Sequence, residues 1–589
     1  MKYNMLVNIL DRIRLEAPER QSKTYMPDNE DIDRVNAARS RAYIHLFLKV
    51  SFGITNFIER EKFVTDGSYD GGIDGYYIEP ELRTIYIIQS KFRTTKSNFE
   101  SKEISLEEIL VMDIDNILGG NTKDEQENEY NGKIKQFQRE ISNIQDIARY
   151  SYKVIILANL NKVSPSQLKK LTDGYSATVF DYSRTYNELV FPVVSGTLFT
   201  ANDICIPMDL SNKNAGSKIS YTVKTKVSDC EITVLFAPTI EIAKIMSKYK
   251  NSILKYNPRS YLELEGQAVN NSIRNTIFYS ETNEFALYNN GITMLSDETY
   301  INERIGQKNK AQLSVKNPQI INGGQTSYIL SRIYEENINS DLSKIFDGKE
   351  VLLKVITLID NDSHIDKLQL IDEISNATNK QTPVINADRF ANDKIHQNMQ
   401  RIIFDRFGLL YERKRGEFSD GLNNGYINQN QVIERNLFLR IYYASNGYIN
   451  TGSQKKLFQK NDLSKLKFDD ASLNRFFLGF EVFNHLIARF MNKKGFINTK
   501  KLSKSIYAKI YIYNILFSDS NLTSIHEKIE RLEEEWNKFL DYAKDDNIKK
   551  YNIIHKDKET EVVYKAFNED RYINSHKLES DVIAYFNKK

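Results

Sequence analysis

Two apolar runs, GIDGYYIE (72–79) and TIYIIQSK (84–91), flank the four residues Pro80-Glu81-Leu82-Arg83. No other feature restricts the fold of this chain so tightly. A loop of that length closes an antiparallel hairpin, and symmetric pairing around it sets Asp74 opposite Gln89. Alternate residues of a strand share a face, so Lys91 lies on the same side as Gln89. Ile73, Ile85, Ile87 and Ile88 make both strands read as buried. Three polar side chains therefore converge at the open end of an apolar hairpin, where buried polar groups need partners.

The three suit one kind of work. An Asp carboxylate and a Gln side-chain oxygen are hard ligands for Mg²⁺, for which Mn²⁺ can substitute, and the backbone carbonyl of Ser90 offers a further oxygen. A metal there polarises a phosphoryl oxygen and acidifies bound water. Lys91 could orient or deprotonate that water, or steady the charge on phosphorus. The expected reaction is phosphodiester hydrolysis, with Asp74, Gln89 and Lys91 as its residues. Asp70 is either an outer ligand or a turn former; the run Asp70-Gly71-Gly72 favours the turn. The plain alternative for the whole cluster is a surface hairpin whose Gln and Lys face water.

The rest of the chain sets the context. At 589 residues it exceeds a single hydrophobic core, and about two to four domains are expected. The net charge of +3 is small, so any nucleic-acid site must be a local patch. Cys205 and Cys230 are the only cysteines, which argues against a disulfide framework and reads as two small buried side chains. No CxxC or HExxH occurs, so zinc is not expected. The N-terminus lacks the apolar core of a signal peptide, and no uncharged apolar run is long enough to span a bilayer. The expectation is a cytoplasmic protein with no membrane partner.

Helical spacing in DIDRVNAARSRAYIHLFLKVSF (31–52) stops at Gly53. VIILAN (154–159), the Ser-Pro helix start at 164–165 and ATVFDY (177–182) then read as strand, helix, strand. The expected class is a multidomain mixture of α/β and α+β: an α/β domain over 1–200, a mixed α/β domain over 210–450, and a mainly helical part over 451–589. In that last part SIHEKIERLEEEWNKFLDYAK (524–544) is the clearest amphipathic helix.

DGGIDGYYI followed by IYIIQSK resembles the nuclease core of the PD-(D/E)xK superfamily, in the Mrr-like version with Gln in place of the acidic residue of ExK. The resemblance covers roughly residues 30–190 and implies a restriction-endonuclease-like core, an active site of Asp74, Gln89 and Lys91, and DNA as the substrate. Nothing in the hairpin excludes RNA. Many members carry an acid in the preceding helix, whereas AARSRAYIHLFLKV has none, which points to one-metal chemistry or to activity awaiting a trigger.

FALYNNGITM (285–294), NPQIINGGQTSYIL (317–330), NATNKQTPVINADRF (376–390) and YERKRGE (411–417) resemble, in order, the AIPR family of abortive-infection phage-resistance proteins. That resemblance implies bacterial defence against phage. In the second block, Asn322, Gly323, Gly324, Gln325 and Thr326 form a strand-to-helix turn. It could bring backbone N–H groups to a phosphate of DNA or nucleotide, or be a plain turn with Asn322 and Thr326 as caps. NNGI (289–292) reads as a turn closing a hairpin between FALY and ITML. Arg389, with Asn379 and Gln381, falls in a loop. Arg413, Lys414 and Arg415 beside Tyr411 suit a phosphate backbone, or are solvated surface.

The reading is a Mg²⁺-dependent endonuclease gated by an AIPR domain that senses or positions nucleic acid, with a homodimer or higher homo-oligomer left open. The alternatives are a non-catalytic DNA-binding module, and a nucleotide- or ligand-gated switch with the ligand on the GGQT turn.

Overall fold

The computed structural model describes residues 1–587 apart from 81–82, 102–111, 161–163, 173, 198–202, 210–218, 226–228, 258–266, 304–307, 339, 360–372, 375–393, 455–456, 458–467, 495–502, 519–523 and 557–562. The chain divides into two compact units, Met1–Pro383 with Lys414–Gln431, and Val384–Arg413 with Val432–Lys589.

In the first unit, β1 (Gly75–Glu79) and β2 (Thr84–Ser90) pair antiparallel, with Gly75 opposite Ile88 and Glu79 opposite Thr84. This is the register that the four-residue loop predicts. β3 (Ser151–Leu157) joins β2 in parallel and β4 (Ser176–Val179) joins β3 in parallel, so the order is β1-β2-β3-β4. Parallel neighbours need crossovers. The helix Gly132–Ser142 lies within the first crossover and Pro165–Leu171 within the second, where Ser164 and Gln167 make a capping box.

One face of this sheet presents Ile85, Ile87, Val154 and Ile156 to Ile134 and Phe137. Burying each such isoleucine contributes about 2 kcal/mol. A one-residue slip of register would turn Ile85 and Ile87 out of the core, so the pairing is strongly specified. On the other face lies the helix Ile32–Phe52, capped by the Asp31 side chain and ended by Gly53. Its Ile44 approaches so closely that a Cβ on Gly75 would stand 3.1 Å from it.

The remaining strands of the unit are β5 (Asp203–Asp209), β6 (Ile219–Lys224), β7 (Asp229–Pro238), β8 (Ile292–Ser296), β9 (Glu298–Asn302), β10 (Lys310–Lys316), β11 (Gln319–Asn322) and β12 (Glu350–Leu358). They form a mixed sheet, β11-β8-β12-β7-β6, and an antiparallel one, β5-β10-β9. Strand β10 alternates strictly, with Ala311, Leu313 and Val315 inside. The helices Thr239–Tyr249 and Gly324–Glu336 contribute Ile242, Met246, Ile329 and Ile333 to the shared core.

FALY is not the strand that the NNGI turn suggested. Phe285–Tyr288 is one helical turn ending at Asn289, and β8 takes its partners from β11 and β12 instead.

The second unit is mainly helical, built on Lys394–Phe407, Arg435–Ser445, Asp470–Lys494, Lys504–Phe517, Ile525–Asn547 and Lys577–Phe586. Trp536 and Phe539 lie in its core. Two short strands, β13 (Leu410–Glu412) and β14 (Val432–Glu434), pair in parallel, while β15 (Asn552–Lys556) and β16 (Val563–Phe567) make a hairpin that helical periodicity did not announce. Among the described residues no helix is long and apolar enough to cross a membrane.

Candidate active site

The chain turns back on itself just before β1. Asp70 is buried, and its two carboxylate oxygens accept from the N–H groups of Gly67 (3.0 Å) and Gly72 (2.9 Å). It thus shapes the turn, as the Asp-Gly-Gly run suggested. Gly71 and Gly72 take φ of +64° and +73°, and a Cβ on Gly71 would meet Ile117 Cδ1 at 2.7 Å, so glycine is required there. The N–H groups of Thr65 and Asp66 both donate to the Asp74 carbonyl, at 3.0 and 3.1 Å.

This folding gathers three acids. The carboxylates of Asp66, Asp70 and Asp74 each offer an oxygen within 4.8 Å of the others. Asp74 is held from both ends: its N–H donates to Ile88 O (2.9 Å), and its Oδ2 accepts from Ser90 N–H at 2.6 Å. Burial pushes its carboxyl up to about 8; the Ser90 N–H opposes the shift, Asp66 and Asp70 add to it, and Lys91 opposes it. Asp70 is raised as well, chiefly by burial. Gln89 is buried and donates its amide N–H to Gly72 O at 3.1 Å, which ties β2 to the turn. Lys91, whose N–H donates to Leu157 O at 3.0 Å, lies within electrostatic reach of both Asp70 and Asp74.

Asp66 is the residue that strand reasoning missed. Its signal was in plain view, since Asp66, Asp70 and Asp74 recur every fourth residue. In an extended strand, residues four apart share a face but stand about 13 Å from one another; the turn at Gly71 and Gly72 brings the three side chains together. The preceding helix supplies a cation rather than an acid: Arg41 Nη2 donates to Asp66 O at 2.6 Å, and its Nε stands 3.6 Å from the Asp66 carboxylate. Burial works against the charge of Arg41, but Tyr25, Asp66 and Glu61 hold its pKa above the ordinary value.

The other residues singled out by sequence fall elsewhere. Gly323 caps the helix Gly324–Glu336 at φ +84°, and a Cβ there would collide with Gly291 O at 2.9 Å. The N-cap position thus falls to Gly323 and not to Asn322 or Thr326. Asn322 Oδ1 accepts from Gly323 N–H (2.7 Å), Thr326 Oγ1 accepts from Asn289 Nδ2 (3.1 Å), and Gln325 Nε2 donates to Asn270 Oδ1 (2.8 Å). Arg389, Asn379 and Gln381 lie outside the described residues.

The run 411–417 is not the surface patch that its composition suggested. Tyr411 is fully buried, its hydroxyl against His396 Nδ1 (2.7 Å). Lys414 is buried too, its ammonium donating to the carbonyls of Leu254 (3.0 Å) and Lys255 (2.7 Å). Arg413 and Arg415 are half-buried. Of the cysteines, Cys230 is buried as expected, but Cys205 is exposed because β5 turns it away from Ile204 and Ile206.

A family model described as AIPR protein matches residues 254–579, more than half of the chain. The chain belongs to the AIPR family. Membership points to abortive infection, a defence against phage. No curated protein and no solved structure matches the chain. The AIPR match takes in the GGQT turn and Lys414, whereas the carboxylate cluster lies ahead of it.

Proposed function

We propose that this AIPR protein is a Mg²⁺-dependent nuclease that hydrolyses phosphodiester bonds of DNA during abortive infection, with its active site at the open end of the β1–β2 hairpin. The observation that carries the reading is the convergence of Asp66, Asp70 and Asp74 within 4.8 Å, with Lys91 in electrostatic reach. The donor set fits the ion. All are hard oxygens, and a buried carboxyl pushed up to about 8, with two acids beside it, is returned to its charged form by a cation.

Asp74, with Asp66 and Asp70, would hold the ion, and Gln89 and the Ser90 carbonyl are the next oxygen donors along β2. When bound, Mg²⁺ polarises the phosphoryl oxygen and lowers the pKa of a water. Lys91 steadies the negative charge that builds on phosphorus or orients the attacking water. Asp70, anchored by two backbone N–H groups, fixes the turn on which the others depend. Arg41 neutralises Asp66 when nothing else does. DNA as substrate follows from the PD-(D/E)xK resemblance of the hairpin.

A nuclease in the cell's own cytoplasm must be restrained, and the AIPR region or self-association is the proposed gate. Purified protein incubated with duplex DNA, single-stranded DNA and RNA, with Mg²⁺ or EDTA, tests the reading. Metal-dependent cutting lost in Asp74→Ala and Lys91→Ala is the expected result. Cutting that persists in both variants would move the active site elsewhere.

A further inference from the structure

A second concavity in the first unit has a chemistry that the hydrolytic site leaves unused. It encloses about 750 Å³, within the size range of small-molecule sites, and none of Asp66, Asp70, Asp74 and Lys91 lines it. Its walls come from the end of the helix Ile32–Phe52, the helices Thr239–Tyr249 and Gly324–Glu336, and the segment around Ser419–Asn423. Five cations, Lys49, Lys244, Lys248, Lys250 and Arg332, line it against three carboxylates, Glu59, Glu335 and Asp420.

Two of these residues are held in unusual states. Lys250 adopts φ +45° and ψ −129°, a backbone region that side-chain-bearing residues rarely enter. Such strain persists only where the surroundings impose it, and it gathers at ligand sites. Asn251 imposes it here: its N–H donates to Gly196 O (3.0 Å), and its Nδ2 to Ser195 O (2.7 Å) and Glu417 O (3.2 Å). The Lys250 ammonium meets Glu335 Oε1 at 3.0 Å. Burial works against its charge, yet Asp420 and Glu335 keep its pKa above the ordinary value.

Asp420 is only 8% exposed, and its Oδ2 has no hydrogen-bond partner. Leaving a buried acceptor so is destabilising, and more so when it is charged. Gly196 leaves room beside it: a Cβ there would stand 2.5 Å from that oxygen. A site combining a strained, buried-side lysine, a cationic lining and one waiting acceptor matches a ligand with an anionic end and a donor end. Inorganic phosphate would use only the first. Tyr334 and Tyr426 add aromatic wall.

We propose that this cleft binds a nucleoside phosphate, with phosphate against Lys250 and Arg332 and a ribose hydroxyl or exocyclic amine donating to Asp420 Oδ2. The site sits toward the C-terminal end of the helix whose N-terminus carries the GGQT turn, about 12 Å farther along the helix at Arg332. It stands apart from the nuclease reading, because its test reads binding rather than hydrolysis.

The experiment is isothermal titration calorimetry of the full chain in EDTA with ATP, AMP, adenosine and inorganic phosphate. Saturable binding of ATP and AMP, with adenosine and phosphate much weaker, is expected. Lys250→Gln and Asp420→Asn should each weaken AMP about tenfold, while Gln325→Ala at the turn leaves it unchanged. Should Lys250→Gln fail to fold, Lys244→Gln with Lys248→Gln on the exposed rim should weaken ATP more than AMP. Binding of neither nucleotide overturns the proposal, as does binding that survives both floor variants or is lost in Gln325→Ala. Displacement of ATP by a short single-stranded DNA, with no effect of Asp420→Asn, would reassign the cleft to a nucleic-acid strand.

Discussion

The hairpin region 66–91 and the basic run 411–417 looked alike as sequence, each a knot of charge beside apolar residues, and the fold treats them in opposite ways. In the first, the anchors of Asp70 and Asp74 come from within the same short stretch, since Asp70 binds Gly67 and Gly72 and Asp74 binds Ser90, while Asp66 is met from outside it by Arg41. In the second, the decisive partners of Lys414 are the carbonyls of Leu254 and Lys255, some 160 residues away along the chain. Charge drawn together by local turns is available for chemistry. Charge drawn inward by a distant segment is consumed by structure.

The comparison can be broken most easily at its strongest point. Asp74→Ala and Lys91→Ala should each lower metal-dependent cutting by about 10²–10⁴-fold with the fold intact, measured by single-turnover cleavage and circular dichroism. A loss below tenfold would leave the hairpin no more functional than the basic run. Lys414→Met should do the reverse. Two buried carbonyls lose their donor, so the urea midpoint should fall by the equivalent of about 2 kcal/mol, with nucleic-acid affinity per folded molecule unchanged.

A subtler test concerns the buried side of the helix that carries Arg41. His45 Nε2 lies 2.9 Å from the Tyr25 hydroxyl and 3.0 Å from Glu61 Oε2, and burial lowers its pKa from 6.5 to about 4. Between those values the unfolded chain takes up a proton that the folded chain refuses. Stability is therefore lost as pH falls through that window, by at most about 1.4 kcal/mol per pH unit. Glu61 adds to the loss at lower pH still, because hydrogen bonds from His45 and Tyr25 outweigh its burial and hold it below the usual carboxylate range. His45→Gln should flatten the upper part of the curve, read from urea midpoints at neutral and mildly acidic pH. An unchanged slope would remove His45 from the account.

The smallest effect separates the two cysteines. Cys205→Ser should shift stability by less than about 0.5 kcal/mol, and a thiol reagent should titrate Cys205 in the native protein but Cys230 only after unfolding.

The β1–β2 register was readable because side-chain alternation and a four-residue loop are local properties, and a slip would expose Ile85 and Ile87. The strand–helix–strand continuation was readable for the same reason, down to the Ser-Pro helix start at Ser164. FALY was misread because its apolar content suits a strand, while its neighbours in space leave β8 already paired on both edges. Asp66 was overlooked because eight residues separate it from Asp74, about 26 Å in an extended strand; the turn with its two left-handed glycines removes that distance.

By itself, then, the amino-acid sequence determined the AIPR blocks, the apolar hairpin, and the acids and lysine at its open end, all written in residues close enough to constrain one another. The burial of Lys414, the pairing of Arg41 with Asp66, and the cleft where Lys250 is strained beside Asp420 were decided only by the tertiary structure. Each depends on segments distant in the chain. Their encounter is set by how whole sheets and helices pack, which no local spacing encodes.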